Sequence, residues 1–232
     1  RDLRMSRGLG DVYKRQYKDL ANGRVVNRLV QGDVGSGKTA VSMVLLLYML
    51  ENSYQGVLMA PTEILAVQHY LSVKDKFEKL GVRVELLTGS FTGKKKQRLL
   101  EDIANGDVGI VIGTHALIEE SVVFHRLGMI IIDEQHRFGV LQRKALRDKG
   151  VLANLVVMSA TPIPRSLALS IYGDLDVSVI DELPPGRKPI RTKWIATDEE
   201  IETMYDFIDK KLSQGRQAYF CLLYTSDAAD EL

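Results

Sequence analysis

Short apolar runs alternate with longer stretches of helical periodicity along most of the chain. The runs are apolar at consecutive positions, which is typical of strands buried on both faces of a parallel sheet. The predicted strands are residues 27–31, 56–60, 83–87, 109–112, 129–132 and 155–159. The predicted helices are residues 38–51, 63–79, 93–105 and 140–149. This alternation predicts an α/β fold in which a parallel, doubly wound sheet is flanked by helices.

The pattern is interrupted by the sequence Pro184-Pro185-Gly186. Proline fixes φ and glycine favours turns, so residues 182–189 are predicted to form a linker between domains. Beyond it, residues 190–195 and 217–220 have strand-like patterns, and residues 199–212 are predicted to be helical. These elements predict the start of a second α/β domain.

The two ends of the chain are related at the level of codons. The sequence DVYKRQ (residues 11–16) can be encoded by GAT GTG TAT AAG AGA CAG, and the reverse complement of that DNA, read one base over, encodes CLLYTS (residues 221–226). The DNA resembles a transposase end used in sequencing libraries. We therefore expect residues 1–16 and 221–232 to be non-native and residues 17–220 to be cut from a longer gene. A native unstructured tail at each end is the alternative.

Composition narrows the function only a little. The chain has 31 basic and 30 acidic residues and a net charge of +1, so any nucleic-acid surface has to be local. The single cysteine, Cys221, rules out an internal disulfide and a cysteine-based metal site. No apolar run is long enough to predict a transmembrane helix. No His, Asp and Glu residues have zinc-ligand spacing, so no zinc site is predicted.

Residues 32–39 match the phosphate-loop pattern G-x-x-x-x-G-K-[S/T] between a predicted strand and a predicted helix. The glycines allow backbone N–H groups to point at the β-phosphate. Lys38 can neutralise the β- and γ-phosphate oxygens, and Thr39 can bind Mg²⁺. An ordinary glycine-rich turn is the alternative. The predicted nucleotide-binding residues of the loop are Gly32, Asp33, Val34, Gly35, Ser36, Gly37, Lys38 and Thr39.

Two adjacent carboxylates, Asp133 and Glu134, follow the predicted strand 129–132. Ligands of α/β proteins bind at the carboxyl ends of strands. With a phosphate loop upstream, Asp133 is predicted to hold Mg²⁺ through water, and Glu134 is predicted to orient or deprotonate the attacking water. A carboxylate pair at the start of a solvated helix is the alternative. His136 adjoins the pair and could extend it as a polar relay.

Two hydroxyl residues, Ser159 and Thr161, follow the last predicted strand. They could sense the γ-phosphate or hydrogen-bond to the region of Asp133. On the residues alone, a turn or helix cap before Pro162 is the favoured alternative.

Polar segments 61–63 and 113–115 also follow buried strands and are candidates for DNA contact. Their N–H groups and hydroxyls could bind a phosphate backbone without reading its sequence. Helix capping by Thr62 or Thr114 is an equally supported alternative. The run Lys94-Lys95-Lys96 could contact phosphates, but a solvated helix face is the favoured interpretation. The remaining histidines are His69 and His115, assigned to these DNA segments, and His125, assigned to the surface.

Seven ordered strings lie between residues 27 and 190: NRLVQGDVGSGKT, APTEILAVQH, LLTGS, IVIGTHALI, IIIDEQHRFGV, SATPIPRSLALSIYGDLDVS and IDELPPGRKPI. These strings closely resemble the RecG family of bacterial ATP-dependent branch-migration helicases. Transcription-repair coupling factors share the DE-x-H-R-F-G-V and ATPIPR elements, but Gln31, APTEILA and ELPPGRKPI look more like the RecG family.

The resemblance implies a superfamily-2 helicase with two RecA-like P-loop NTPase domains. These would close on ATP and move along duplex DNA, regressing stalled forks and migrating Holliday junctions in repair and recombination. The implied cofactors are ATP and Mg²⁺, and the implied partner is forked or branched DNA. A monomer of the bacterial cytoplasm, associated with the nucleoid and with no membrane or further metal site, is expected. Residues 17–181 would be the first motor domain, and residues 190–220 the start of the second.

The positions that match the family motifs take the family's roles by resemblance. Gln135 and His136 would couple the state of ATP to DNA, and Ser159 and Thr161 would link hydrolysis to motion. The implied catalytic residues are Lys38, Asp133, Glu134, Gln135 and His136, and the implied metal ligands are Thr39 and Asp133. The residues assigned to the DNA path, from chemistry and resemblance together, are Pro61, Thr62, Glu63, Gly89, Thr114 and His115.

Several parts of the family's machinery would lie outside residues 17–220. The wedge domain and the adenine-recognising glutamine would precede them, and the arginine fingers and translocation hairpin would follow. An arginine finger contributes about 10³–10⁵ in rate in related NTPases. We therefore expect residues 17–220 to bind ATP weakly, hydrolyse it very slowly and unwind no DNA. Two alternatives stay open: a phosphate-loop kinase or switch without a nucleic-acid role, and an inert fragment that binds nothing.

Overall fold

The computed structural model describes residues 10, 12, 14, 18–20, 22, 25–133, 145–150, 153–161, 175–181, 190 and 192–221. The chain divides into two compact units, Arg1–Arg187 and Lys188–Leu232, which are described separately. The dividing point falls inside the predicted linker 182–189, whose own residues lie outside the described part of the chain. Of the two tails predicted to be non-native, residues 10, 12, 14 and 221 are described.

The first unit is built on a seven-stranded sheet. Its strands are β1 (Asn27–Gly32), β2 (Gln55–Met59), β3 (Val84–Leu87), β4 (Ile110–Gly113), β5 (Leu127–Ile132), β6 (Asn154–Ser159) and β7 (Asp176–Ile180). Its helices are α1 (Lys38–Glu51), α2 (Glu63–Phe77) and α3 (Gly93–Asn105), with 3₁₀ turns at Glu78–Leu80 and His115–Ile118. The strand order is β3-β4-β2-β5-β6-β1-β7, and every pair is parallel. The predicted α/β fold with a parallel sheet flanked by helices is confirmed.

The sheet is buried on both faces, which explains why its strands are apolar at consecutive positions. Leu29 packs in the core that includes α3, and the next residue, Val30, packs in the core that includes α1 and α2. Ile130 and Ile131 of β5 are divided between the two cores in the same way. Val12, in the segment predicted to be non-native, is fully buried in the core of α1 and α2. Each strand therefore contributes side chains to both layers of helices.

The register brings the carboxyl ends of neighbouring strands to one edge of the sheet. Gln31 of β1 pairs with Ser159 of β6, and Ile132 of β5 pairs with Val157 of β6. The segments that follow β5, β6 and β1 therefore lie side by side. The segments that follow β3, β4 and β2 form a second neighbouring set. The β5-β6-β1 half of the edge carries the residues predicted to bind nucleotide, and the β3-β4-β2 half carries those predicted to contact DNA.

Strand β7 is absent from the sequence prediction. It lies at the end of the sheet beside β1, where Asp176 is exposed and Ser178 is buried. Arg28 of β1 is buried and donates a hydrogen bond from Nη1 to Oγ of Ser178 (2.9 Å). A buried guanidinium requires such partners because an unpaired charge is costly to remove from water. Because Asp176 and Ser178 are polar, β7 lacks the continuous apolar run from which the other strands are predicted.

The predicted helices are largely confirmed, with differences at their ends. Helices α1 and α3 have the predicted bounds, and α2 ends at Phe77, where a 3₁₀ turn continues the chain. Of the predicted helix 140–149, residues 145–147 are helical, and residues 140–144 lie outside the described part of the chain. Across the described ranges, none of the helices combines the length and the apolar character needed to cross a bilayer.

The second unit contains the helix α4 (Asp198–Leu212), which agrees with the predicted helix 199–212. Thr197 caps it, because its side chain accepts a hydrogen bond from the N–H of Glu200. The strands predicted at 190–195 and 217–220 are wrong, since their described residues are not in strand conformation. A strand is stable only when a neighbour pairs with its backbone groups. Trp194 and Tyr219 are 85% and 90% exposed, so neither side chain packs in a core among the described residues.

Candidate nucleotide site and nucleic-acid interface

The predicted phosphate loop connects β1 to α1 and adopts a conformation that its glycines allow. Gly35 and Gly37 have φ values of 79° and 96°, in the left-handed region that residues with a Cβ rarely adopt. Gly37 is the N-cap of α1, and no side chain caps this helix end. The first turn of a helix has N–H groups without partners inside the helix, and its dipole attracts anions. The loop therefore aims a helix N-terminus at the carboxyl edge of the sheet.

Close packing inside the loop explains the requirement for glycine at its first position. A Cβ on Gly32 would lie 2.5 Å from Oγ of Ser36 and 3.0 Å from Cβ of Ile180. Ser36 is 9% exposed, and its Oγ is buried without a hydrogen-bond partner among the described residues. An unpaired buried hydroxyl costs about 1–3 kcal/mol. This orphaned donor fits the oxygen-rich phosphate of a nucleotide.

Lys38 turns its ammonium group back into the loop. Its Nζ donates hydrogen bonds to the carbonyl oxygens of Gly32 (2.7 Å) and Asp33 (2.9 Å). The N–H of Ser36 donates to the carbonyl of Asp33 (3.1 Å), which closes a turn in the same loop. Thr39 is half-buried in the first turn of α1. The loop thus gathers a cation, backbone donors and a hydroxyl in one place, as a triphosphate requires.

Asp133 lies at the carboxyl end of β5, and its backbone N–H donates to the carbonyl of Met59 (2.9 Å). Its side chain is 14% exposed, and its Oδ2 lies 2.7 Å from Nε2 of His69. Carboxylate and hydroxyl oxygens are ligands that suit Mg²⁺, so Asp133 and Thr39 fit that ion chemically. Glu134, Gln135 and His136 lie outside the described part of the chain.

Ser159 and Thr161 form a hydrogen-bonded turn directly after β6. The N–H of Thr161 donates to Oγ of Ser159 (3.2 Å), and the two hydroxyl oxygens are 3.0 Å apart. The turn interpretation of these residues is therefore correct. The pairing of Ser159 with Gln31 places the turn beside the start of the phosphate loop. Ser159 and Thr161 can therefore form this turn and also lie near a nucleotide bound to the phosphate loop.

The residues predicted to contact DNA follow β2, β3 and β4, which are neighbours in the sheet. Thr62 is the N-cap of α2, and its Oγ1 accepts a hydrogen bond from the N–H of Leu65 (3.3 Å), so its capping interpretation is confirmed. Glu63, next to Pro61 and Thr62, accepts a hydrogen bond from the N–H of Ser90 (3.2 Å). This contact joins the segment after β2 to the segment that contains Gly89.

The third predicted DNA segment follows β4. Thr114 is buried and precedes a 3₁₀ turn, and its side chain makes no capping hydrogen bond. His115 is exposed in the first position of that turn. The structure therefore leaves an exposed imidazole at this strand end, between the ends of β3 and β2.

The sequence assigns His69 to the DNA segment after β2, but in the structure its Nε2 contacts the carboxylate of Asp133. A signal for this contact is present in the sequence of α2. His69 lies three residues after Ala66 and four before Val73, both of which are buried. A polar residue in the buried stripe of a helix requires a polar partner.

Comparison with known proteins agrees with this geometry. The model of the DEAD/DEAH box helicase family matches residues 13–169. The ATP-dependent DNA helicase RecG of Bacillus subtilis is 51% identical over 214 residues, and that of Thermotoga maritima is 47% identical over 215 residues. Each match covers 91% of this chain, but 31% and 27% of the respective relatives. The chain therefore spans less than a third of the length of these relatives.

Solved helicase structures also match most of this chain. A RecG bound to a three-way DNA junction is 41% identical, with a TM-score of 0.77, and the match covers 99% of this chain and 31% of that one. The DEAD-box helicase Mss116 bound to ssRNA is 20% identical, with a TM-score of 0.57 and coverage of 73% and 39%. That second likeness shows the fold alone, which is the RecA-like helicase fold. Because the family model spans more than half of the chain, this protein belongs to the DEAD/DEAH box helicase family, and RecG helicases are among its relatives.

Proposed function

We propose that this chain is the first motor module of an ATP-dependent DNA helicase of the RecG type. The longer protein that carries it would couple ATP hydrolysis to translocation on duplex DNA, for fork regression and Holliday-junction branch migration. One observation carries the proposal: the phosphate loop and Asp133 share one edge of the sheet with the three segments predicted to contact DNA. The relative on a three-way DNA junction supports branched DNA as the substrate.

In the proposed mechanism the phosphate loop binds the β- and γ-phosphates of ATP. The N–H groups at the start of α1 donate to phosphate oxygens, and Lys38 transfers its hydrogen bonds from loop carbonyls to the γ-phosphate. The Oγ of Ser36 supplies a further donor. Mg²⁺ bound by Thr39 and Asp133 would neutralise charge on the phosphates. Glu134 would orient or deprotonate the attacking water.

We propose that the segments beside the nucleotide transmit the effect of hydrolysis to the bound DNA. The Ser159–Thr161 turn lies next to the loop, so a change at the γ-phosphate would act on its hydroxyl contacts. Gln135 and His136 would relay the same change from Asp133. The residues proposed to bind the DNA backbone are Pro61, Thr62, Glu63, Gly89, Thr114 and His115.

The proposed domain arrangement follows the same resemblance. Residues 17–181 would form the first motor domain, residues 182–189 the linker and residues 190–220 the start of the second motor domain. Residues 1–16 and 221–232 would be non-native. The parent protein is proposed to act as a monomer at the bacterial nucleoid.

The nucleotide site is tested by titrating the 232-residue chain with a fluorescent ATP analogue and Mg²⁺. Removing the ammonium in Lys38→Ala should weaken binding about 10–100-fold, because a hydrogen bond to a charged group contributes about 1.5–3 kcal/mol. Lys94→Ala is the matched control, since Lys94 is an exposed lysine of α3. Equal affinities in all three proteins would contradict the proposed site.

The DNA part of the proposal is tested separately with a fluorescent three-way junction. Binding that weakens steeply with added salt is expected, because phosphate contacts release counterions. Nucleotide binding without any junction binding, in this chain and in a full-length version, would favour the alternative of a nucleotide switch.

A further inference from the structure

A histidine occupies the buried face of α2. His69 lies between Ala66 and Val73 in the stripe by which this helix packs on the sheet, and its side chain is 13% exposed. An apolar side chain is the usual occupant of such a position. The imidazole is accommodated because its Nε2 lies 2.7 Å from Oδ2 of Asp133. This contact joins two residues that are 64 positions apart in the chain.

The contact restrains the carboxylate of Asp133. An ionised carboxylate accepts hydrogen bonds and donates none, so the imidazole donates its Nε2–H to Oδ2. Charge-assisted hydrogen bonds of this length are strong and directional. A donor fixed on Oδ2 therefore sets the side-chain torsions of Asp133, and with them the direction of the whole carboxylate.

The contact also crosses from one half of the sheet edge to the other. Helix α2 follows β2, and its first turn is bound to the β3-β4-β2 half through the hydrogen bond between Glu63 and Ser90. About two turns further along the same helix, His69 reaches Asp133 at the end of β5, in the β5-β6-β1 half. A rigid helix thus connects a segment predicted to contact DNA with a predicted metal ligand.

We propose that His69 is a positioning residue that holds Asp133 in the orientation required to bind the Mg²⁺ of the nucleotide. The inference rests on the proposed function, since it requires Asp133 to be a metal ligand. Groups that hydrogen-bond to metal ligands orient them, and their loss typically costs about 10–100-fold in metal affinity or activity. His69 acts through Asp133 and does not touch the reacting atoms.

The test measures binding of a fluorescent ATP analogue to the 232-residue chain, first in EDTA and then during a Mg²⁺ titration. In His69→Ala, the Mg²⁺ concentration at half-effect should rise about 10–100-fold, while affinity in EDTA stays within about twofold. A general loss of structure would weaken binding under both conditions. Gln68→Ala is the matched control, because Gln68 is the exposed neighbour of His69 in α2.

Conservative variants test the geometry. Glutamine places its amide nitrogen near the position of imidazole Nε2, whereas asparagine places it near that of Nδ1. His69→Gln should therefore restore the Mg²⁺ response to within about fivefold of the wild type, and His69→Asn should resemble His69→Ala. Circular dichroism of each variant shows whether it is folded. If His69→Ala does not fold, the comparison of His69→Gln with His69→Asn decides the question.

A double variant tests whether His69 acts through Asp133. Asp133→Asn alone should raise the Mg²⁺ requirement, and adding His69→Ala or His69→Asn to it should cause little further loss, since coupled residues are not additive. Losses that multiply would overturn the inference, as would a normal Mg²⁺ response in both His69→Ala and His69→Asn. If the wild-type chain shows no Mg²⁺-dependent nucleotide binding, the proposed function fails instead.

Discussion

At the scale of single residues, the proposed mechanism separates binding from turnover. Lys38 already holds its ammonium inside the phosphate loop, through the carbonyls of Gly32 and Asp33. Its contribution is a fixed positive charge, which acts as soon as a phosphate enters. Glu134 is proposed to act on the attacking water, which matters only when the γ-phosphate bond breaks. Substitutions at these two positions should therefore affect different measurements.

Glu134→Gln in a full-length version of the protein should lower kcat about 10²–10⁴-fold, because the amide cannot accept the proton from water. Affinity for ATP should stay within about threefold, since shape and polarity are kept. Single-turnover hydrolysis and equilibrium binding measure the two quantities separately. Loss of binding equal to that of Lys38→Ala would contradict the division of roles.

Residues within one local motif could be predicted from the sequence, whereas contacts between distant segments could not. The positive φ values of Gly35 and Gly37 belong to a loop whose spacing is fixed over eight consecutive positions. The contact of His69 with Asp133 depends on the packing of α2 against β3 and β4, which brings His69 to the end of β5. The buried stripe of α2 indicates that His69 requires a polar partner, but residues near it in the sequence do not identify Asp133 as that partner.

At the scale of elements, residues at the helix ends mark where the helices begin and end. Thr62 caps α2 through a side-chain hydrogen bond, whereas Thr92, at the equivalent position of α3, makes none. Helix α3 ends at Asn105, as the sequence predicts, and Gly106 caps its end in the left-handed conformation. Local capping residues therefore explain why these helices could be delimited from the sequence.

The capping difference gives a test within one protein. Thr62→Ala should lower the free energy of unfolding by about 1 kcal/mol, because an N–H of the first turn of α2 loses its acceptor. Thr92→Ala should change it by less than about 0.5 kcal/mol. Urea unfolding followed by circular dichroism measures both, and equal losses would mean that the hydroxyl of Thr62 does not stabilise the helix.

Strand packing gives a second test at this scale. A Cβ on Gly113 would lie 2.0 Å from the backbone carbonyl oxygen of Leu87, an atom held in the β3–β4 ladder. A Cβ on Gly56 would meet only the end of the Leu46 side chain, at 2.2 Å, which can rotate away. Gly56→Ala should cost about 1–3 kcal/mol, and Gly113→Ala more than about 3 kcal/mol. Denaturant midpoints rank the two variants, and the reverse order would contradict the packing described.

The strands show that an apolar pattern alone does not decide whether a segment forms a strand. Six apolar runs of the first unit became strands because each has a paired neighbour in the sheet. The segments 190–195 and 217–220 carry similar patterns, but pairing cannot be seen in a single segment. For β7 the error is the opposite one: the sequence predicts no strand because of its polar residues, but pairing with β1 makes it one.

At the scale of the whole molecule, the two units differ in how far their apolar side chains are buried. The first unit buries them on both faces of its sheet, whereas α4 has no buried residue among its members. Ile190, Trp194 and Tyr219 are each more than four-fifths exposed. Exposed apolar surface of this kind promotes association between copies.

Replacing three of these residues, in Ile190→Ser/Trp194→Ser/Tyr219→Ser, should reduce concentration-dependent association of the 232-residue chain. Sedimentation velocity over a tenfold or wider range of concentrations measures the effect. The matched control is Leu71→Ser/Leu80→Ser/Val123→Ser, three exposed apolar residues of the first unit. An equal reduction in both triple variants would show that the second unit is not the source of association.

The place of β1 in the sheet has a consequence for synthesis on the ribosome. β1 leaves the ribosome first among the strands, yet its partners are β6 and β7, with Asn27 paired to Leu155 and Arg28 to Asp176. The strands β2 to β5 pair with one another and can assemble earlier, since shorter loops close at lower entropic cost. The phosphate loop is therefore completed late during translation, after the segments that are proposed to hold DNA. A nascent chain stalled before residue 154 should be unable to retain ATP.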